Sequence, residues 1–145
     1  MDAPDDSPLV VVDASIVLSW LLPDETPINK NNQLLLDHRT GKIKLAAPEL
    51  IRFEVANGLL AAVLSRRIDI TTAGKILEDF ENLLFTFRIV WVDSRLILGN
   101  AFDLKISVYD AAYIVLATTL KARFYTLDHK LKAKIDRSVS LGEFS

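Results

Sequence analysis

Residues 9–20, LVVVDASIVLSW, decide how the rest of the chain is read. Four apolar residues, three of them β-branched valines, run straight into Asp13. An apolar run without alternation suits a strand buried on both faces, as at the centre of a parallel sheet. A carboxylate at its end then stands at the crevice outside the carboxyl ends of the strands, where open α/β sheets bind ligands. Ala14 and Ser15 turn into an apolar helical segment, Ile16 to Leu22, stopped by Pro23. The bland alternative is that Asp13 only caps that helix, because Asp is a preferred N-cap residue.

Working outward, Met1 to Pro8 reads as a mobile acidic leader, and residues 9–145 as a single domain. PDETP is a turn, followed by a helix from about Ile28 to Thr40 that Gly41 ends. Lys42 to Ala47 is a short strand, and Pro48 opens the longest helix, with Glu49 at its positive end. Leu50, Glu54, Asn57, Ala61 and Leu64 share one face there, so Glu54 and Asn57 interrupt an apolar stripe. Thr71 or Thr72 caps a further helix, Phe87 to Val92 is a strand, and Asp93 caps the helix after it. Ser107 opens a helix that is apolar almost all round, with Asp110 in its first turn. Arg123 to Leu127 repeats the pattern of a strand running into an acid, here Asp128. Val139 to Leu141, with Phe144, gives a last edge strand. This alternation predicts an α/β fold: a parallel sheet with helices on both faces and right-handed crossovers.

Composition removes several classes of function. The 145 residues suffice for one domain with a real core. Half the residues are hydrophobic (50%) and a quarter charged (25%), which argues against disorder. No apolar run approaches the ~20 residues needed to cross a bilayer, and the acidic start does not resemble a secretory signal. The absence of cysteine excludes disulfides and thiolate chemistry, and it suits the cytosol. The net charge of −2 gives no global basic field. Between Lys121 and Arg137, however, basic residues outnumber acidic ones. Lys121, Arg123, Lys130 and Lys132 are the candidates for a phosphate-facing patch there, the alternative being a solvated helix face.

Four acids stand apart from the solvated ones: Asp13, Glu54, Asp110 and Asp128. Each has a structural alternative: N-caps for Asp13 and Asp128, a capping box with Ser107 for Asp110, a buried ion pair for Glu54. If the two acid-ending strands are neighbours, one cleft collects all four. Carboxylates gathered in that way repel one another unless a hard cation neutralises them. Their oxygen ligands suit Mg²⁺ or Mn²⁺, and hydrolysis of a phosphodiester is the natural reaction. Neither His38 nor His129 belongs to a nucleophilic constellation.

The segments VVVDASIVLSWLLPDE, APELIRFEVANGL, ISVYDAAYIVLA and FYTLDHKL, with the closing VSLGEF, resemble those of PIN-domain ribonucleases, and among them the VapC toxins of toxin–antitoxin pairs. They occur in the family's order over nearly the whole chain, each of the four carrying its acid. The resemblance implies a three-layer α/β/α domain with a five-stranded parallel sheet. It also implies a Mg²⁺- or Mn²⁺-dependent endoribonuclease acting on RNA, with Asp13, Glu54, Asp110 and Asp128 as catalytic and metal-holding residues. Ser15 and Thr126 match the family's small hydroxyl positions beside the first and last acids, where they would hydrogen-bond a carboxylate or water. Asn57, one turn after Glu54, is a further candidate. A cognate antitoxin and a homodimer are the expected partners, with Trp20, Leu21 and Leu22 as an apolar docking groove. The competing readings are a PIN-like domain that binds RNA or protein without cutting, a response-regulator-like receiver and a nucleotide-binding fold. The receiver would show two adjacent acids after the first strand and a lysine after a late one. The nucleotide-binding fold would show a phosphate loop, which the five scattered glycines do not form.

Overall fold

The computed structural model describes residues 6–25 and 32–143. The elements follow in the order β1 (Leu9–Val12), α1 (Ala14–Leu21), α2 (Asn32–Arg39), β2 (Lys44–Pro48), α3 (Ile51–Leu64), α4 (Ile70–Leu84), β3 (Arg88–Val90), α5 (Ser94–Leu104), α6 (Val108–Leu120), β4 (Arg123–Tyr125) and α7 (His129–Ile135). Every strand pairing is parallel, and the sheet order is β3-β2-β1-β4. Successive side chains of a strand point to opposite faces. The burial of Val10, Val11 and Val12 in β1 therefore means that both faces of the sheet are covered there. Fully burying each valine is worth roughly 1.5–3 kcal/mol. Helix α6 lies against β1, β2 and β4 with α5 packed on it, while α1, α3 and α4 pack against one another in series. Gly58 permits the close approach of α1 to α3, because a Cβ there would come within 2.4 Å of Leu18 Cδ1.

The strand order puts a switch point beside β1. The chain builds β2 and then β3 on one side of β1, and crosses back to lay β4 on the other. Open α/β sheets bind ligands in the crevice at such a point, beyond the carboxyl ends of the strands. Val12 of β1 pairs with Tyr125 of β4, so Asp13 and the loop leading to Asp128 leave the sheet side by side.

Several expectations from the sequence are corrected. The sheet has four strands among the described residues, where five were expected. The segment read as a fifth strand makes a single parallel bridge, Phe124 with Leu141. Its two hydrogen bonds are Phe124 N–H to Ser140 O and Gly142 N–H to Phe124 O, each 2.9 Å. β4 is itself only three residues long and offers little ladder to extend. Phe144 lies outside the described residues. Pro48 closes β2, paired with Val90, and does not open the helix. At the end of a strand its missing N–H costs no ladder bond, and α3 begins at Ile51 after an uncapped turn. Asp69 caps α4, its side chain accepting from Thr72 N–H, in place of Thr71 or Thr72. Of the leader, Met1 to Asp5 lie outside the described residues, as do Ile28 to Asn31 of the expected second helix. Ser7 and Pro8 are tied down: Ser7 Oγ donates to Gly41 O at 2.8 Å and Lys44 N–H to Pro8 O at 2.9 Å. Trp20 and Leu22 are buried and Leu21 is half-buried; of the expected groove residues, Trp20 and Leu21 line a hollow of about 800 Å³ with Leu35, His38, Ile43 and Leu83, and Leu22 does not. Among the described residues no helix is long and apolar enough to cross a membrane.

Candidate active site

Asp13 ends β1 and caps α1, so the capping alternative and the cleft position are both realised by one side chain. Its Oδ1 accepts from Ser15 Oγ at 2.5 Å and from Ile16 N–H at 3.3 Å. Its Oδ2 accepts from the buried Thr126 hydroxyl, also at 2.5 Å. Each hydroxyl in turn accepts a backbone N–H from the loop after β4. Leu127 N–H reaches Ser15 Oγ at 2.9 Å, and Asp128 N–H reaches Thr126 Oγ1 at 3.1 Å. Two hydroxyls and one carboxylate therefore clamp the β1–α1 and β4–α7 loops together. Ser15 and Thr126 thus both hydrogen-bond the Asp13 carboxylate.

Glu54 lies in the first turn of α3, beside the buried stripe of Ile51, Val55, Leu59 and Ala62. Its Oε1 accepts from the hydroxyl of Tyr113 at 2.6 Å. Asp110 lies in the first turn of α6, where Ser107 caps the helix by accepting Asp110 N–H at 3.0 Å. Asp128 caps α7 through Leu131 N–H at 3.0 Å, and the residue is exposed.

The electrostatics link the four. Desolvation raises the Asp13 carboxyl above its ordinary range, and the bonds from Ser15, Thr126 and the backbone only partly offset it. Glu54 is likewise raised, first by burial and then by the charges of Asp13 and Asp110, against the pull of Tyr113. Asp110 is raised by burial and by Asp128, and Ser107 and Lys134 oppose the shift. The interactions thus run from Asp13 to Glu54, from Glu54 to Asp110 and from Asp110 to Asp128. Among the described residues none of the four forms an ion pair with Lys, Arg or His. A compensating charge reaches Asp110 from Lys134, whose ammonium donates to Lys105 O at 3.2 Å.

This donor set fits a hard divalent cation: carboxylate oxygens whose mutual repulsion is met by neutral hydroxyls and one lysine. Among the described residues no three Asp, Glu or His side chains stand together as a ready-made cage. Mg²⁺ does not require one, since it keeps several waters and commonly uses one or two carboxylates.

The remaining candidates are not all at this centre. Asn57 is exposed on α3, off its buried stripe. Lys121 and Arg123 line a hollow with Pro8, Leu9 and Val10, at the amino ends of β1 and β4 and therefore at the opposite edge of the sheet from Asp13. Lys130 and Lys132 follow Asp128 on α7, at the acidic edge. Sequence reasoning missed Tyr113 altogether. A tyrosine three residues after Asp110 in an otherwise apolar helix was the available signal, because a buried hydroxyl needs an acceptor.

Residues 10–136 match the model of the PIN domain family. The chain is 30% identical over 124 residues to a VapC ribonuclease of Mycobacterium bovis, covering 85% of this chain and 88% of that protein. It is 29% identical over 136 residues to Ribonuclease VapC3 of Pyrobaculum aerophilum, covering 90% and 98%. Among solved structures, VapBC2 from Rickettsia felis, bound to a DNA fragment from its promoter, superposes with a TM-score of 0.67 at 13% identity, over 94% of this chain and 99% of that one. The strand order, the acids at the switch point and these similarities agree: the chain belongs to the PIN-domain family, among the VapC ribonucleases.

Proposed function

We propose that the chain is a divalent-metal-dependent endoribonuclease, the toxin of a VapBC-type pair. One observation carries the reading: at the switch point burial pushes up the carboxyls of Asp13, Glu54 and Asp110, the last two also feel neighbouring acids, and none has an ion-pair partner among the described residues. Such a centre is costly to keep unless a cation or a cationic transition state uses it. The VapC ribonucleases it resembles support RNA as the substrate. A toxin–antitoxin complex from Klebsiella pneumoniae with the same fold (TM-score 0.63, 15% identity, over 94% of this chain and 99% of that one) supports an antitoxin as partner.

Asp13, Glu54, Asp110 and Asp128 would hold Mg²⁺ or Mn²⁺. Such an ion supplies positive charge to the phosphoryl group and lowers the pKa of water. The protein's own part is orientation. Asp13 is fixed through both oxygens, so it presents a constant direction to whatever binds. Glu54 keeps Oε2 free of protein donors among the described residues and, with its raised pKa, suits accepting a proton from the attacking water. Lys130, Lys132 and Lys134 on α7 are the cations available to the RNA phosphates at this edge. Large apolar side chains exposed elsewhere, Phe53, Trp91 and Phe102 among them, offer surface for a second copy and an antitoxin in addition to the hollow that Trp20 and Leu21 line. Light scattering of the isolated chain tests the dimer, and a monomer would count against it.

The deciding experiment maps RNA ends after incubating total RNA with the wild-type chain or Asp13→Asn, with Mg²⁺ or with EDTA. New internal ends that need both Mg²⁺ and Asp13 are expected. Their absence from the wild type would favour a PIN domain that binds without cutting.

A further inference from the structure

Tyr113 is 1% exposed, in the middle of a helix whose other buried residues are Ala, Ile, Val and Leu. A phenol at that depth needs an acceptor for its hydroxyl. It finds one in Glu54 Oε1, on a different helix, at 2.6 Å. Its ring stacks on Phe124 of β4, with centroids 5.8 Å apart and planes 25° from parallel. Phe124 stands two residues before Thr126, which bonds Asp13. Asp110 precedes Tyr113 by three residues on α6, so both project from one side of that helix. The phenol therefore joins the helix of Asp110 to the helix of Glu54 and to the strand that leads to Thr126. The fields of Asp13 and Asp110 also reach it.

We propose that Tyr113 is a positioning residue of the acidic site: its hydroxyl anchors Glu54 by Oε1 and leaves Oε2 as the oxygen offered to a cation or water. The physical argument concerns restraint. Glu54 has three side-chain torsions, lies at the margin of the buried stripe, and is repelled by Asp13 and Asp110. Unheld, its carboxylate lowers its energy by swinging out to solvent. A lysine or arginine would hold it too, but would cancel the charge that a cation needs. A neutral phenol fixes the geometry and leaves the charge in place. Packing against Phe124 fixes the ring, so the anchor point does not move with the carboxylate.

This inference rests on the metal-dependent reading of the site. Its test is a cycle of four proteins: wild type, Tyr113→Phe, Glu54→Ala and the double variant. Phenylalanine keeps the ring, the stacking and the burial, and removes only the hydroxyl. Mn²⁺ affinity is read by electron paramagnetic resonance, and kcat and KM are measured on an RNA that the wild type cleaves. In the wild-type background Tyr113→Phe should lower Mn²⁺ affinity or kcat by roughly 10–100-fold, the usual effect of losing a partner behind a metal-holding residue, with KM for RNA unchanged. In the Glu54→Ala background the same substitution should change neither. An equal loss in both backgrounds, or none in either, overturns the proposal. If the wild type binds Mn²⁺ yet cuts no RNA, the ribonuclease reading fails, and the Mn²⁺ arm of the cycle still decides the role of Tyr113.

Discussion

Asp13 and Asp24 flank the same helix, α1, and their carboxylates are satisfied in opposite ways. Asp24 lies just past its end, exposed, and takes a two-pronged grip from Arg67: Nε to Oδ2 at 2.9 Å and a second guanidinium nitrogen to Oδ1 at 2.8 Å. These bonds hold its carboxyl below the ordinary range. Asp13 opens the helix at the switch point, receives only neutral donors, and is pushed up by desolvation. The contrast separates a carboxylate held down by an ion-pair partner from one that burial pushes up with no ion-pair partner among the described residues. Glu54 and Asp110 share the second condition.

The largest expected difference lies in catalysis. Asp13→Asn should reduce RNA cleavage by more than the roughly 10–100-fold that loss of an outer partner costs, while Arg67→Ala should leave the rate unchanged. Initial rates on one RNA compare the two directly; a similar loss in both would dissolve the distinction.

Thr126→Val comes next. It keeps the shape of the side chain but removes the donor to Asp13 Oδ2 and the acceptor of Asp128 N–H, opening one arm of the clamp between the loops. A fall in cleavage of about 10–100-fold is expected, with the protein still folded by circular dichroism. Near-wild-type cleavage would mean that the clamp does not govern the site.

The pH dependence of stability should have opposite signs in the two regions. Asp13, Glu54 and Asp110 have folded pKa values above their unfolded ones, so the metal-free native state binds more protons than the unfolded chain. Their contribution is fully present below the unfolded values and is lost as pH rises through the folded ones. Asp24, with a lowered pKa, contributes above its unfolded value and loses that contribution as pH falls through the folded one. Urea unfolding in EDTA from acidic to neutral pH should therefore decline less toward neutral pH in Asp110→Asn, and less toward acid in Arg67→Ala. Identical profiles for all three proteins would contradict both assignments.

The smallest effect is the stability lost in Arg67→Ala. An exposed pair adds little even with two-pronged geometry and is screened by salt, so raising the ionic strength should erase the difference between the denaturation midpoints.

How much of this the sequence carried differs between the two regions. β1 was legible because three valines leave no alternation to interpret, and the acids at strand ends were legible because a polar residue ending an apolar run stands out. Pairing order was not: only the crossover from β3 to β4 decides that Asp13 and Asp128 are neighbours. Pro48 was misread because proline suits the end of a strand as well as the start of a helix, and only its partner Val90 distinguishes the two. The buried stripe of α3 runs through Ile51, Val55, Leu59 and Ala62 and not through the expected Leu50, Glu54, Asn57, Ala61 and Leu64, because three- and four-residue spacing fits either face of an apolar helix. Tyr113 is not legible from the sequence because its hydroxyl partner, Glu54, is remote along the chain. The basic run from Lys121 to Arg137 divides between opposite edges of the sheet, since β4 crosses it between Arg123 and Lys130.

The central claim, that the linked acids await a cation, is tested most directly by melting curves of the wild type and Asp110→Asn at neutral pH, with EDTA and with Mn²⁺. Mutual repulsion predicts that the variant without metal is as stable as the wild type or more so. Mn²⁺ at a hundredfold excess over its dissociation constant should stabilise the wild type by roughly 2.7 kcal/mol and the variant by distinctly less. If Asp110 instead serves only the helix that Ser107 caps, the metal-free variant will be weaker by about 1 kcal/mol, the usual loss for a disrupted cap, and the Mn²⁺ shift will be the same in both proteins.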